Sequence, residues 1–445
     1  MIALLTVLTV SAQDESVADE TAAEETAAEA AAPAPVYEPA LKAPVIWAVD
    51  EATTAVLVED HRAPLVELRV QLPAGSWTPW MIDSHGEDAW LHQYYDTDGT
   101  LRARADALAA DVYFDVREQR SMMMVSCLKR DLPAVLELVG DILANTDYDI
   151  EELKRTEKGY GISWDSNQKD PQFRTNQATH QMLFAEGDPR RIAYEEPASV
   201  ETDAATLAAT RDAMLRLPGR VIGFGGDLTR EEVEAMVGDI LPAAENAPEG
   251  MEPVFLPLSE LPESAVEPMD NLTQTYFAWF KAGPDWDAED YAAWRVADHV
   301  LGGHFFSRLY VALRHDGGET YGASTRGSGS ENTRAYSIGT FTRVENTATT
   351  EEKLRNTLTT FHSEGISAEE LDGAIGYLLG SRLRDRQSPG QVLNETMWEL
   401  GNDRVMGWED QLNEATEALT VEAVNAVITE HFDPSSFTML KVTED

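Results

Sequence analysis

Two stretches of this chain, offset by about 210 residues, run through the same order of elements, and this repeat restricts the fold more than any single motif. Apolar extended runs at 55–72, followed by Pro-Ala-Gly-Ser-Trp at 73–77, predict a hairpin-like pair of strands. The shape returns at 274–280, followed by Lys-Ala-Gly-Pro-Asp-Trp at 281–286. A strand at 121–128 and a helix to about 144 are matched by a strand at 335–343 and a helix to about 362. Ile-Glu-Glu-Leu at 150–153 is echoed by Glu-Glu-Leu at 369–371, and each half ends in a helix and a strand, at 220–226 and at 436–442. The expectation is an α+β chain of two homologous sandwich domains, each an antiparallel-rich sheet covered by helices: residues 44–241 and residues 269–445. The Pro- and Glu-rich segment 242–268 links them, after a helix opened by a Thr229/Glu232 capping box.

Outside the repeat, residues 2–10 form an uncharged apolar run too short to span a bilayer, and Val10-Ser11-Ala12 offers a small-residue cleavage site. Residues 1–12 therefore read as a signal peptide, which implies a periplasmic or secreted protein with no membrane insertion after cleavage. Residues 13–43 are rich in Ala, Glu and Pro and have little to bury, so they read as a disordered acidic tether, with ordered structure expected from near Pro44. The formal charge of -45 repels phosphate backbones and anionic lipid heads, which excludes nucleic acid as a partner. The single cysteine, Cys127, cannot form an internal disulfide and lies in an alternating apolar run where burial is expected.

Residues 298–329 concentrate the chemistry. Apolar residues run up to Gly302-Gly303, and a second helix is expected with Phe306, Leu309, Tyr310 and Leu313 on one face, stopping near His315. Gly317-Gly318 marks a turn, and Thr-Tyr-Gly-Ala-Ser-Thr begins a strand. Folding back at these glycines can aim Arg314 and Tyr321 at one spot. Gly-Gly-x-x-x-Ser-Arg-Leu, Leu-Arg and Gly-x-x-Tyr-Gly resemble, at this spacing, the carboxy-terminal half of insulinase-type (pitrilysin-like) zinc metallopeptidases, and the pattern extends over roughly 45–445. The resemblance implies a clamshell half in which Arg314 and Tyr321 bind the substrate backbone and Tyr321 stabilises the oxyanion. Arg314 as a helix-terminal cation and Tyr321 as a half-buried strand residue are the plainer readings. The run 327–333 is a hairpin loop by default.

In that family the other half carries His-x-x-Glu-His and a distant glutamate around zinc. Aligning on Gly99-Thr100 puts Trp90, Gln93 and Tyr94 at the three motif positions, and the distant glutamate falls at Ser163. None of these is a zinc ligand or a general base, so the motif is degenerate and no metal is expected in this chain. Trp90 and Tyr94, at i and i+4, are expected to fill the former metal pocket with aromatic bulk. His85 and His92 stand two helical turns apart, roughly 10 Å of rise, too far to share one ion. His299 and His304 flank the glycine break with no acidic partner at ligand spacing. All four histidines are expected to be solvent-exposed or in surface hydrogen bonds.

The resemblance thus implies a subunit of a heterodimeric metalloendopeptidase, inactive alone, with zinc in a homologous partner subunit and a peptide as substrate, and the acidic charge favours an extended, basic one. The alternative is a catalytically inactive scaffold or peptide-binding protein.

Overall fold

A computed structural model describes residues 41–197, 202–315, 318–330 and 333–444. The expected signal peptide and most of the expected tether lie outside the described residues. The first half contains β1 (Val45–Ala48), β2 (Thr53–Glu59), β3 (Leu65–Leu72), β4 (Asp111–Val116), β5 (Ser121–Leu128) and β6 (Arg220–Gly226). Its principal helices are α1 (Gly86–Leu91), α2 (Leu132–Leu143), α3 (Pro171–Leu183), α4 (Ala204–Leu215) and α5 (Arg230–Glu234). The second half contains β7 (Ser264–Pro268), β8 (Gln274–Ala282), β9 (Ala323–Ser330), β10 (Thr333–Arg343) and β11 (Thr438–Thr443), with α6 (Tyr291–Asp298), α7 (Thr347–Glu364), α8 (Pro389–Gly401) and α9 (Val421–His431).

The strand orders are β1-β2-β6-β3-β5-β4 and β7-β11-β8-β10-β9. Without β1, the two sheets have the same order, and directions agree: β6 is parallel to β2 and antiparallel to β3, as β11 is parallel to β7 and antiparallel to β8. The fold is α+β, as expected. The hairpin at 55–72 is not formed, because β6 lies between β2 and β3. All seven residues of β6 are buried, and a strand with no face for water takes a central place.

Glycines in β6 set how closely a helix approaches. A Cβ on Gly223 would stand 2.6 Å from Met397 Sδ, and one on Gly225 2.9 Å from Pro389 Cβ, both on α8. Here α8, from the second half of the sequence, packs Val392, Leu393 and Met397 on Val56, Val58 and Val221 of the first sheet. Reciprocally α3, from the first half, leads into Leu183 and Phe184, which pack with Ala278, Phe280 and Leu440 of the second sheet. Each such apolar side chain contributes about 2 kcal/mol on burial. The crossing helices explain why the described residues cluster as one compact unit.

Order starts before Pro44: Leu41 is buried with Val56 and Val58, and Lys42 pairs with Glu59 at 2.6 Å. The Thr229/Glu232 capping box forms as read. Cys127 is buried, and burial pushes its thiol up to about 11. Among the described residues no helix is long and apolar enough to cross a membrane.

Candidate functional site

At the positions of the degenerate zinc motif the chain builds core. Trp90 is fully buried in α1, its indole N–H donating to the Met122 carbonyl at 3.3 Å and its ring meeting Phe114 edge-on at 5.3 Å. α1 ends at Leu91, so Gln93 and Tyr94 lie in the turn beyond it. The Gln93 amide donates to the Trp90 carbonyl at 3.1 Å, and Tyr94 packs on the same Phe114 at 6.3 Å. Ser163 is exposed on the helix Ile150–Asn167. A buried indole, an inward amide and a packed phenol offer no ligand set, so these residues do not fit a zinc ion. Among the described residues the group of His and carboxylate side chains close enough to share an ion is Asp290, Glu430 and His431, none of them at these positions.

Two of the four histidines differ from expectation. His92 and His299 are buried, since each sits on the inner side of its helix end, and burial pushes both imidazoles down. His299 is held to about 4; its ring stacks on His304 at 4.3 Å and on Tyr377 at 4.7 Å. His304 Nδ1 stands 2.8 Å from the His299 carbonyl.

Beyond α6 the chain widens into a π-type turn, His299–Gly303. A Cβ on Gly302 would lie 2.7 Å from the Thr325 amide nitrogen, so only glycine lets this turn reach β9. Asp298 is anchored beneath it, accepting from the Tyr336 hydroxyl at 2.8 Å; burial pushes its carboxyl up, while the Thr325 and Tyr336 hydroxyls act in the opposite direction. The expected helix does not start at once: His304 is extended, and helix resumes only at Arg308–Tyr310, followed by a wide turn, Val311–His315. Leu309, Tyr310 and Leu313 are buried, whereas Phe306 is 74% exposed, because it precedes the helix and is not on its apolar face. Arg308 of the Ser-Arg-Leu motif is structural, donating to Glu370 at 2.7 Å and to the Gly365 carbonyl at 2.7 Å.

Arg314 is exposed on the wide turn, with its guanidinium 5.0 Å from the Tyr310 ring centre and 5.4 Å from that of Phe305, and it donates to the Tyr310 hydroxyl. Cation–π contact and hydrogen bond together hold it on an aromatic platform. Tyr321 is 78% exposed. Its backbone is pinned from both sides: the Thr342 hydroxyl donates to the Glu319 carbonyl at 2.9 Å, and the Thr340 hydroxyl donates to the Gly322 carbonyl at 2.9 Å. Among the described residues no hydrogen bond or ring contact joins Arg314 to Tyr321, so the two are displayed separately. Gly322 also borders a cavity of about 460 Å³ between α3 and β9–β10, lined by Asn176, His180, Ser324, Arg326, Ser337 and Phe341.

Tyr310, Phe305, Thr340 and Thr342 did not emerge from the sequence as site residues. Tyr310 was legible as the i-4 neighbour of Arg314 on a helix, where side chains meet. The threonines carried no signal, since their role depends on strand register. The run 327–333 is mostly strand and not loop, as β9 continues to Ser330 and β10 starts at Thr333.

Residues 204–378 match the family model described as the peptidase M16 inactive domain. A solved peptidase M16 inactive domain from Pseudomonas fluorescens is similar at TM-score 0.73 and 19% identity, covering 90% of this chain and 98% of that one. A protease from Helicobacter pylori gives TM-score 0.75 and 13% identity over 91% of this chain and 100% of that one. The periplasmic protease PqqL from Escherichia coli gives TM-score 0.71 and 13% identity over 93% of this chain and 48% of that one, so this chain spans about half of it. Comparison with curated proteins gives no significant match.

Proposed function

We propose, from the premise that this chain belongs to the insulinase-like (peptidase M16) family as a member without the zinc motif, that it is the non-zinc subunit of a heterodimeric metalloendopeptidase. Its homologous partner carries the zinc, and the pair works in the periplasm or outside the cell. The same reading treats 44–241 and 269–445 as homologous domains joined by 242–268. Arg314 holds a substrate carbonyl, and the Tyr321 hydroxyl donates to the oxygen on which negative charge develops.

The observation that carries this reading is an exposed phenol on a pinned backbone and, displayed separately, a guanidinium held on aromatic rings, in a chain whose motif positions are filled by Trp90 and Tyr94. β9 supports an extended peptide, since it is the outer strand of its sheet and no described strand pairs with its free edge. Formal charge of -45 favours basic peptides.

A second reading, a scaffold or peptide-binding protein with no part in hydrolysis, draws on the lack of contact between Arg314 and Tyr321 among the described residues. Zinc content and peptide cleavage of the purified chain, measured after mild dialysis, test the first reading. The expected result is substoichiometric zinc and no cleavage. About one zinc per chain, lost together with activity on chelation, would contradict it.

A further inference from the structure

The cavity between α3 and β9–β10 has a floor with few large side chains. Register sets Gly339 of β10 between Ala278 of β8 and Ser324 of β9, and, one row along, Ser337 between Phe280 and Arg326. A Cβ built on Gly322 or Gly339 would meet no heavy atom within 4 Å, so these glycines leave open space above the strands. The roof is one face of α3, where Thr175, Asn176, Thr179 and His180 recur at helical spacing. Ala178, Met182 and Leu183 of the same helix pack on Ala278, Phe280 and Leu440, which seats α3 over β8 and β11 and leaves the cavity over β9 and β10. The ring of Tyr194, from the turn Pro189–Tyr194, lies 4.2 Å from that of His180 and closes one wall.

Four donors line this space without an acceptor. Among the described residues the hydroxyls of Ser324, Ser337 and Tyr194 and the Arg326 guanidinium make no hydrogen bond or ion pair. Burial pushes the Tyr194 phenol up, and the Arg326 charge acts in the opposite direction. His180 adds no charge: its Nδ1 stands 2.9 Å from the Asn176 carbonyl, which can only accept, and burial pushes the imidazole down. Arg326 is thus the one charged group among the described lining residues. Carboxylates on the flanking elements are engaged elsewhere: Asp170 accepts from the Phe173 amide at 2.8 Å, Glu267 pairs with Arg174, and Glu195 pairs with Arg191 at 3.3 Å.

We propose that this cavity binds a carboxylate presented by a peptide, with the Arg326 guanidinium and the Ser324, Ser337 and Tyr194 hydroxyls as its donors. A carboxylate only accepts, and it can take a guanidinium and hydroxyls at once. The volume of about 460 Å³ is ordinary for a small-ligand site. Ser324 and Arg326 lie on β9, whose outer edge no described strand pairs, so an extended peptide laid on that edge can turn its carboxylate in to both. A basic peptide, which the acidic chain favours, still ends in a carboxylate. Binding is read on this chain alone and without turnover, so its failure leaves the subunit reading untouched.

The probes are three amino-terminally fluorescein-labelled tetrapeptides, titrated with the full chain and followed by fluorescence anisotropy: Gly-Ala-Ala-Ala with a free carboxy terminus, its carboxy-terminal amide, and the amide of Gly-Ala-Glu-Ala. The expected result is saturable binding of at least one carboxylate-bearing peptide, roughly tenfold or more tighter than the alanine amide, as a charge-assisted pair predicts. Binding of the free terminus alone assigns the site to peptide ends, and binding of the glutamate amide assigns it to acidic side chains; each supports the proposal. Arg326→Gln should weaken binding by a similar factor, and Arg326→Lys by less, since the charge stays. Gly339→Val should abolish binding by filling the floor without a clash. Melting temperatures check that the variants are folded, and the comparison of acid with amide needs only the wild type. Equal affinity for all three peptides, no binding of any at millimolar chain, or wild-type affinity in folded Arg326→Gln or Gly339→Val would overturn the proposal.

Discussion

The Arg314 guanidinium donates to the hydroxyl of Tyr310, one turn earlier, and lies 5.0 Å from the centre of the same ring. Tyr310 is buried, so its ring fixes where the exposed arginine points. Removing the hydroxyl alone should loosen that aim without disturbing the ring. In a complex with a zinc-bearing homologue, Tyr310→Phe should raise KM about fivefold, corresponding to ~1 kcal/mol for one lost hydrogen bond, and leave kcat nearly unchanged. A fall in kcat at constant KM would assign Tyr310 a different role.

Restoring the motif by Trp90→His, Gln93→Glu and Tyr94→His should not restore a zinc site. α1 ends at Leu91, so the two histidines would not share one regular helical face, and Ser163 leaves the fourth position without a ligand. Removal of the buried Trp90 indole should cost about 3 kcal/mol or more through the cavity left against Phe114. Calorimetry should show a lower melting temperature, and metal analysis less than stoichiometric zinc.

Gly223→Val tests the crossing of helices between the halves. The new Cβ would meet Met397 Sδ at 2.6 Å, so the buried Met397 side chain, or α8 with it, must shift. Overpacking of this kind costs roughly 1–3 kcal/mol, measurable as a lower denaturation midpoint. Wild-type stability would mean that α8 is not seated on β6.

The α+β class and the repeat of the same elements along each half were legible in the sequence, because each half repeats the same alternation of apolar runs and helices. Placement was less so. The hairpin at 55–72 failed since sequence adjacency of β2 and β3 says nothing about β6, which is recruited from about 150 residues later. Aromatic bulk at Trp90 and Tyr94 followed from residue size, and in the structure both rings pack on Phe114. The exchange of α3 and α8 between sheets left no local mark except Gly223 and Gly225. Exposure of Phe306 was misjudged because the Gly302–Gly303 break delays the helix to Arg308, which shifts which residues share its apolar face.

His299 should make stability depend on pH. Burial, then the neighbouring His304 and Arg295, lower its folded pKa to about 4 from an ordinary 6.5, so the native state prefers the neutral ring. Its contribution is complete above pH 6.5 and is lost as pH falls through the window from 6.5 to 4, where the unfolded chain takes up the proton first. His299→Phe keeps a ring to stack on Tyr377 but cannot titrate. Between pH 6.5 and pH 5 the wild type should therefore lose more melting temperature than the variant. Parallel curves would place the acid sensitivity elsewhere.

The most direct test of the central claim is turnover of an unstructured peptide by this chain co-expressed with a zinc-bearing homologue from the same organism, comparing wild type with Tyr321→Phe. Tyr321 is 78% exposed and makes no hydrogen bond or ring contact among the described residues, so the substitution should leave folding and assembly intact. Loss of one oxyanion donor should lower kcat on the order of a hundredfold, about 3 kcal/mol. Undiminished turnover by the Tyr321→Phe complex would contradict the account and leave the chain as a scaffold.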